Sequence, residues 1–389
     1  MTTHLCYLDY AASAPLRAEA LAAEAAYRAL PHAMANPNSL HTLGRAASSS
    51  LEGARRTLAS CVDGGFRPSD VIFTSGGTES NNLAVYGIAE GARAADRTRT
   101  RVVLSAIEHD SVLDLAPSLR QRGFEVAIAP VTGEGVIDLE AAERLIDSSC
   151  ALVSVMYANN ETGVVQPVAE LSRLCAQAGA PLHTDAIQAF GRIPLDLAGV
   201  SAVSVAGHKI GAPLGTGALL VRARVPFRPQ GFGGGQESGR RPGTQDVCGA
   251  VTFAEVARFV VGEMPRVRPE VARRARRLYA ALCADETGIV PTAGVDVGDD
   301  RLPGIVSVMV EGCDSESLLL HLDEAGFEVS AGSACSSASL DPSHVLSAMG
   351  IPRDLAFGSL RVSFDERVPA AELDAFAAAL LRIAADLRR

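Results

Sequence analysis

The sequence predicts an α/β fold: a large domain with a mostly parallel, seven-stranded sheet flanked by helices, and a smaller α+β C-terminal domain. Three observations support this prediction. Short apolar runs alternate with helical segments over residues 71–221, which is typical of a parallel sheet covered on both faces. From about residue 289 onward the strands become fewer and mix with helices. The chain has 389 residues, which is long enough for two domains.

The order of the elements supports a division into two domains. We assign the large domain to residues 16–254, and the smaller domain to residues 1–15 together with 255–389. An extended entry, a helix, a turn rich in Asn and Pro and a second helix come first, at 7–12, 15–30, 35–41 and 43–62. Apolar runs bounded by turn residues then place the seven strands at 71–74, 101–105, 124–129, 151–156, within 181–188, at 200–206 and at 217–221.

Helices fill the gaps between these strands and continue into the smaller domain. Within the large domain they are predicted at 83–92, from 107, at 138–146 and at 168–178. A loop rich in glycine and arginine at 231–244 precedes a long helix at 254–285. The smaller domain has predicted strands at 304–310 and 327–330, and predicted helices at 315–325 and from 369.

Composition excludes several classes of function. The formal charge of −10 argues against a nucleic-acid-binding surface, so no direct nucleic-acid partner is expected. No apolar run approaches the roughly 20 residues of a membrane span, and no signal peptide is visible, so we expect a cytoplasmic protein without membrane contact. The eight cysteines form no C-x-x-C pair, so reduced thiols and no metal site are expected.

One lysine is placed where a surface charge is not expected. Lys209 follows the apolar run at 200–206 and precedes a loop rich in Gly and Pro. A partly desolvated lysine loses its proton more readily and becomes a nucleophile toward carbonyl groups. The alternative is a solvated lysine at the end of a strand.

Other polar residues fall at the ends of the predicted strands, and ligands gather at that edge of such sheets. These residues are Thr78, His109, Asn160, Asp185, Gln188 and Lys209. The glycine turn at 75–82 also leads from a strand into a helix, which presents free backbone N–H groups to an anion. Alternatively, Thr78 is simply the N-cap of that helix.

Together these residues match the needs of pyridoxal 5′-phosphate (PLP). Lys209 can form a Schiff base with the aldehyde, and Asp185 can pair with the pyridine nitrogen. His109 can stack on the ring; alternatively, it is a helix-capping or core histidine. The alternative for Asp185 is that it caps the N-terminus of a helix. The remaining candidates serve the phenolic oxygen or the phosphate: Gln188, Asn160, Gly76, Gly77, Thr78 and His208.

At this point the chain resembles the cysteine desulfurases of the NifS/IscS type, within the class V aminotransferase-like PLP enzymes of fold-type I. The matching segments run from end to end, at 7–12, 36–41, 74–82, 108–109, 159–163, 185–188, 207–209, 233–237 and 241–244. The segment at 330–337, followed by 342–346, resembles the mobile loop of the family, about 328–342, which carries the persulfide cysteine, here Cys335. Gly332 and the surrounding serines favour an exposed loop over an inert buried thiol.

The resemblance implies a reaction and its residues. L-cysteine would give L-alanine and a Cys335 persulfide, which passes to a protein sulfur acceptor for iron–sulfur assembly or for thiolation of tRNA, DNA or a metabolite. Arg361 would bind the substrate carboxylate, assisted by Asn36 and Asn160. Lys209 would move protons, and His109 would act as acid and base at the substrate thiol.

The resemblance also implies a homodimer in which Thr244 reaches the phosphate of the neighbouring subunit's cofactor. The chain departs from the family pattern at four places. Ala206 replaces a serine that often contacts phosphate, Ser238 replaces an arginine, and the segments 212–215 and 365–369 differ from the usual motifs. None of these changes removes a catalytic group.

Three alternatives stay open at this stage. The first is another PLP reaction on the same scaffold, such as selenocysteine lyase or aminotransferase activity, against which Cys335 argues. The second is a binding scaffold that lost catalysis, against which the joint presence of Lys209, Asp185 and His109 argues. The third keeps the reaction and changes the destination of the sulfur, which the sequence does not decide.

Overall fold

The computed structural model describes residues 5–294, 300–332 and 342–388. No helix in these ranges has both the length and the apolar character needed to cross a membrane. Twelve strands lie within these ranges, at Cys6–Tyr7 (β1), Val71–Thr74 (β2), Arg101–Ser105 (β3), Glu125–Ala129 (β4), Cys150–Ser154 (β5), Leu182–Asp185 (β6), Ala202–Ala206 (β7), Gly217–Val221 (β8), Ile289–Pro291 (β9), Ile305–Val310 (β10), Phe327–Glu328 (β11) and Ser359–Ser363 (β12).

Twelve α-helices accompany the strands in the same described ranges. They lie at Ala18–Arg28 (α1), Thr42–Cys61 (α2), Gly77–Ala95 (α3), Asp110–Leu113 (α4), Ala116–Gln121 (α5), Leu139–Leu145 (α6), Val168–Ala178 (α7), Val247–Leu282 (α8), Ser315–Glu324 (α9), His344–Ala348 (α10), Arg353–Ala356 (α11) and Ala370–Leu387 (α12).

The largest sheet has seven strands in the spatial order β2-β8-β7-β6-β5-β3-β4. The strands from β7 to β4 pair in parallel, and β8 pairs antiparallel to both β7 and β2. Every residue of β5, β6 and β7 is buried, as expected for strands covered by helices on both faces. The predicted seven-stranded, mostly parallel sheet is therefore confirmed.

A second region is built on a three-stranded antiparallel sheet in the order β12-β10-β9. Its apolar core includes Leu8 and Tyr10 from the N-terminal segment and the later half of α8, from Val271 to Leu282. The earlier half of α8, from Val247 to Val260, packs into the core of the large sheet instead. The proposed boundary between residues 254 and 255 therefore falls inside one continuous helix, and the domain division stays a prediction.

Two sequence predictions about elements were wrong. The long helix begins at Val247 rather than at residue 254, because Asp246 caps it by accepting a hydrogen bond from the Gly249 N–H at 2.9 Å. Strand β12 was not predicted, and the arginine at its centre, Arg361, is of a type that is rarely buried without a partner. All five of its residues are buried, because the guanidinium finds partners inside the protein.

Candidate active site

A cavity of about 200 Å³ lies at the carboxyl ends of β6 and β7, beside the start of α3. Its lining brings together nine of the residues that the sequence singled out, namely Gly77, Thr78, His109, Asn160, Asp185, Gln188, His208, Lys209 and Arg361. These residues are spread over almost three hundred positions of the chain. Their convergence places nucleophile, carboxylate, imidazole and guanidinium groups in one pocket.

Lys209 ends a short 3₁₀ turn that follows β7 directly. Its Nζ donates hydrogen bonds to the backbone oxygens of Ala11 at 2.5 Å and Ala12 at 2.8 Å. Burial lowers the pKa of Lys209 to about 8, and the nearby charges of Arg361 and Arg192 add to this effect. Lys209 is therefore in the neutral amine form, which attacks carbonyl groups, far more often than an exposed lysine is.

Asp185 is the last residue of β6 and is buried. Its Oδ1 accepts the Ile187 N–H at 2.9 Å, and its Oδ2 accepts from Asn81 Nδ2 at 2.7 Å. Burial raises the pKa of Asp185, while these two hydrogen bonds and the charges of His109 and Lys209 oppose the rise. A cationic ring nitrogen in the pocket would stabilise the carboxylate in the same way.

His109 combines the capping role and the pocket role that the sequence left as alternatives. It is the N-cap of α4, with Nδ1 accepting the Ser111 N–H at 3.0 Å, and it also lines the cavity. Because the cap fixes one ring nitrogen, the orientation of the whole imidazole is set by the backbone of α4.

The start of α3 forms the candidate phosphate cradle. Gly76 is the N-cap, without a side-chain cap and with a φ of 149° that favours glycine, so the alternative of Thr78 as N-cap was wrong. A Cβ on Gly77 would come within 2.3 Å of Ile187 Cδ1, so a larger residue here would require the Ile187 side chain to move. Burial lowers the pKa of His208 to about 4, which makes its imidazole a neutral hydrogen-bond partner. Ala206 offers no hydroxyl here.

Gln188 and Asn160 complete the wall beside Lys209. Arg192 Nη1 donates to Gln188 Oε1 at 2.8 Å, so the Gln188 amide turns its Nε2 toward the Ala11 oxygen, 2.9 Å away. The backbone oxygen of Asn160 accepts from Arg361 Nη1 at 3.0 Å. Both side chains line the cavity as predicted.

Arg361 lies at the centre of β12 and is only 2% exposed. Its Nη2 pairs with Asp9 Oδ1 at 2.7 Å, and its Nη1 also donates to the Gly332 oxygen at 2.7 Å. Its Nε is buried and has no partner among the described residues. A guanidinium has five N–H donors, so Arg361 retains donors for a carboxylate that enters the pocket.

Two predicted site residues lie elsewhere, and a third is not described. Asn36 is in an exposed turn, where its Oδ1 accepts from Asn38, and Thr244 is exposed in the loop before α8. Neither residue lines the cavity of its own chain. Cys335 lies outside the described residues, so its position relative to Lys209 stays a prediction.

The structure also adds polar residues that were not assigned a role from the sequence. Asn81 and Ser111 contact Asp185 and His109, Arg192 contacts Gln188, and Glu161 and His344 line the cavity. The side chains of Asn81 and Arg192 lie on helix or turn positions where polar residues are common on surfaces. Only their burial against the pocket, which depends on the tertiary fold, reveals them.

The residues present fit PLP. The donor set contains an amine for the aldehyde, a buried carboxyl for the ring nitrogen and an imidazole beside both. The glycine cradle at Gly76 and Gly77 provides backbone N–H groups at a helix N-terminus, which suits a phosphate. The cavity therefore fits PLP, and Lys209 offers the amine that its aldehyde requires.

Comparisons with known proteins agree with this site. The aminotransferase class-V family matches residues 6–376. The IscS-like cysteine desulfurase of Mycobacterium tuberculosis (strain ATCC 25618 / H37Rv) is 42% identical over 378 residues, covering 95% of this chain and 94% of that protein.

Two solved structures extend the comparison to the fold. A NifS-like protein superimposes with a TM-score of 0.87 and 31% identity, covering 98% of this chain and all (100%) of that chain. The structure of SspA in complex with cysteine has a TM-score of 0.76 and 30% identity, covering 92% of this chain and 98% of that chain. This chain belongs to the aminotransferase class-V family and, within it, to the cysteine desulfurases of the NifS and IscS type.

Proposed function

We propose that this protein is a PLP-dependent cysteine desulfurase that converts L-cysteine to L-alanine and passes the sulfur on through Cys335. One observation carries the proposal furthest. Lys209 is the only lysine in the 389-residue sequence, and it lies in the cavity with Asp185 and His109. Arginine cannot replace lysine as an amine nucleophile, so a chain that otherwise uses arginine keeps its single lysine where amine chemistry is needed.

PLP, when bound, supplies an electron sink for the bonds broken at the substrate Cα. The residues of this chain then have separate tasks. Lys209 would hold the cofactor through its aldehyde and, once displaced by the substrate amine, would move the proton at the substrate Cα, for which its pKa of about 8 is suited. Asp185 would hold the ring nitrogen, and Gly77, Thr78 and His208 would hold the phosphate.

Recognition of L-cysteine rests on two groups. Arg361 would receive the α-carboxylate, with its unpartnered Nε and remaining Nη protons, and Asn160 lies beside it. His109 would exchange a proton with the substrate thiol as its sulfur leaves. The likeness to SspA, whose solved structure is a complex with cysteine, supports this choice of substrate.

The sulfur transfer step uses the only cysteine in the segment between Gly332 and Ser343. The Cys335 thiolate would attack the substrate sulfur, so that a sulfur–sulfur bond forms as the carbon–sulfur bond breaks and the electron pair passes to the substrate. The persulfide then goes to an acceptor protein. A cytoplasmic homodimer, in which Thr244 reaches the phosphate of the neighbouring subunit's cofactor and Asn36 assists Arg361, completes the proposal.

The central test uses the single lysine. Borohydride reduction of the PLP-loaded protein should attach one pyridoxyl group at Lys209, and Lys209→Ala should lose both this adduct and the visible absorbance. Lys209→Arg serves as the matched control, since it keeps the charge and lacks the nucleophile. Visible absorbance that survives in both variants would contradict the assignment of Lys209.

The persulfide step has its own test. Cys335→Ser should keep the absorbance of the bound cofactor and lose persulfide formation, measured by mass spectrometry after addition of L-cysteine. Cys61→Ser is a suitable control, since Cys61 is partly buried, does not line the cavity, and has a thiol whose pKa is raised by burial. Undiminished alanine formation in Cys335→Ser would rule out the role given to Cys335.

A further inference from the structure

Asn81 is a buried side chain that joins two groups of the active site. It lies in the second turn of α3 and is fully buried. Its Nδ2 donates to Asp185 Oδ2 at 2.7 Å and to Ser111 Oγ at 2.9 Å. Its own Oδ1 is buried without a partner among the described residues. The two donated hydrogen bonds are therefore the polar interactions that hold this amide in place.

The second of these bonds continues to His109. The Ser111 hydroxyl lies 2.9 Å from His109 Nδ1, and the Ser111 backbone N–H lies 3.0 Å from the same nitrogen. Because a backbone N–H can only donate, Nδ1 must be an acceptor and carry no proton. Since Ser111 Oγ accepts from Asn81, its own proton is directed toward Nδ1.

The proton of the neutral His109 ring consequently resides on Nε2. Among residues 5–294, 300–332 and 342–388, Nε2 has no hydrogen-bond partner, and the ring lines the cavity. The free N–H of His109 is thus the one available to a group bound in the pocket. The same amide that sets this arrangement also fixes the orientation of the Asp185 carboxyl group.

We infer that Asn81 is a positioning residue that couples Asp185 to His109 through the Ser111 hydroxyl, and that His109 presents its proton to the pocket at Nε2. The catalytic consequence of this inference rests on the proposed function, because Asp185 and His109 flank the PLP ring only if PLP binds here. The hydrogen-bond geometry, in contrast, is a property of the chain itself.

The first experiment locates the proton of His109. Nitrogen-15 spectra of the full-length, histidine-labelled protein are recorded with and without PLP, and His109→Asn identifies the His109 signals. Nδ1 should show the shift of an unprotonated ring nitrogen and Nε2 that of a protonated one. A protonated Nδ1 would overturn the inference. The measurement without PLP does not depend on the cofactor. A protonated Nδ1 would therefore refute the inference about His109 even if the proposed function is correct, and an unprotonated Nδ1 would support it even if PLP does not bind.

The second experiment is a double-mutant cycle with Asn81→Ala and Ser111→Ala. Asn81→Ala should weaken PLP binding about ten-fold, as expected when a buried acceptor loses its donor, and should slow alanine formation. Ser111→Ala should leave PLP affinity within about two-fold, since Ser111 does not contact Asp185, yet slow alanine formation. In the double variant, the two effects on alanine formation should not add.

Asn82→Ala is the matched control. Asn82 Nδ2 donates to the backbone oxygens of Thr78 and Ser111 at 3.0 Å each, but it contacts neither Asp185 nor the Ser111 hydroxyl. It should leave PLP affinity and the effect of Ser111→Ala unchanged. If Asn81→Ala behaves like Asn82→Ala, or if its effect adds to that of Ser111→Ala, the coupling is refuted. Should Asn81→Ala fail to fold, Asn81→Ser is measured in the same cycle.

Discussion

At the scale of single residues, the lowered pKa of Lys209 makes a prediction about cofactor capture. Burial brings this pKa to about 8, so the ammonium form dominates below that pH and the neutral amine dominates above it. We expect the rate at which the full-length protein captures added PLP to rise about ten-fold per pH unit below 8 and then to level. The growth of visible absorbance measures this rate. A capture rate that continues to rise up to pH 10 would show that the pKa of Lys209 is that of an ordinary exposed lysine.

Arg192 gives a second prediction at this scale. Its Nη2 donates to the backbone oxygen of Lys209 at 3.1 Å, and its charge contributes to the lowered pKa of Lys209. Arg192→Met should therefore raise the pKa of Lys209 and move the midpoint of PLP capture upward by roughly one pH unit. Arg258→Met is the control, because Arg258 is an exposed partner of Glu255 on α8. An unchanged midpoint in Arg192→Met would contradict this electrostatic role.

The residues of the pocket differ in how well the sequence could predict them. Lys209, Asp185 and His109 were predicted because strand ends of a parallel sheet meet at one edge, and the structure brings them together there. Asn81 could not be predicted, because its function depends on burial of one face of α3 against the end of β6. Contacts of this kind, between a buried side chain and a residue of the site, arise from tertiary packing and leave no local pattern in the sequence.

At the scale of elements, a buried ion pair fixes the loop that follows β8. Glu237 has no exposed side-chain surface, and its carboxylate pairs with Arg55 of α2 through bonds of 2.7 and 2.8 Å. The Phe73 N–H of β2 also donates to Glu237 Oε2 at 2.9 Å. The pair therefore joins the glycine-rich loop to a helix and to the edge strand of the main sheet.

Neutralising this carboxylate should destabilise the protein. Glu237→Gln removes the buried partner of Arg55 and leaves only the half-exposed Glu52 to balance its charge, which costs about 3 kcal/mol in the free energy of unfolding. Urea unfolding measures the difference. Glu52→Gln is the control, since Glu52 is a half-exposed partner of the same arginine and should cost about 0.5 kcal/mol or less. Equal effects of the two substitutions would show that burial of the pair is unimportant.

The segment that contains Cys335 is preceded and followed by residues that contact the pocket. Gly332 accepts from Arg361, while the Ser343 hydroxyl donates to Glu161 Oε2 at 2.6 Å and accepts the Val345 N–H at 3.0 Å. Glu161 is buried, and burial raises its pKa. These contacts hold both described neighbours of the segment against the walls of the cavity.

We expect Ser343→Ala to impair sulfur transfer more than cofactor binding. The substitution removes a helix cap and a hydrogen bond to a buried carboxyl, which together cost about 2 kcal/mol in unfolding free energy. Persulfide formation on Cys335 should fall while the absorbance of bound PLP stays constant. Ser347→Ala is the control, because within the described part of the chain its hydroxyl bonds only to the Ser343 backbone oxygen. Normal persulfide formation in Ser343→Ala would show that this anchor is not needed.

The elements themselves show where sequence patterns fail. Strands β2, β3 and β8 lie where the apolar runs predicted them, because each is a short buried run bounded by turn residues. The start of α8 was missed because Gly249 and the preceding Pro and Gly residues looked like a continuing loop. Its cap, Asp246, is a local signal that was available and unused.

At the scale of the whole molecule, two exposed loops carry large apolar side chains that the proposed homodimer would cover. Met34 is 92% exposed, Leu40 is 89% exposed and Phe232 is fully (100%) exposed, which is unusual for large apolar side chains. The loops are linked by a hydrogen bond of 2.9 Å from Asn38 to Gln245, next to Thr244. Light scattering should give the mass of a dimer, and Phe232→Asp should shift it toward the monomer. A monomeric wild-type protein would contradict this prediction.

Mixing two inactive variants can test whether Thr244 completes the active site of the neighbouring subunit. Lys209→Ala removes the attachment residue, and Thr244→Glu places a negative charge where a phosphate is expected. If Thr244 serves the neighbouring subunit, a mixed dimer has one site with both Lys209 and an intact Thr244, so random mixing should restore about one quarter of wild-type activity. If Thr244 serves its own subunit, no site in the mixture is complete and activity should stay absent. The single variants measured alone provide the baseline, and a mixture of Lys209→Ala with Cys61→Ser, which should keep about one half of wild-type activity, shows that Lys209→Ala does not inactivate its partner subunit.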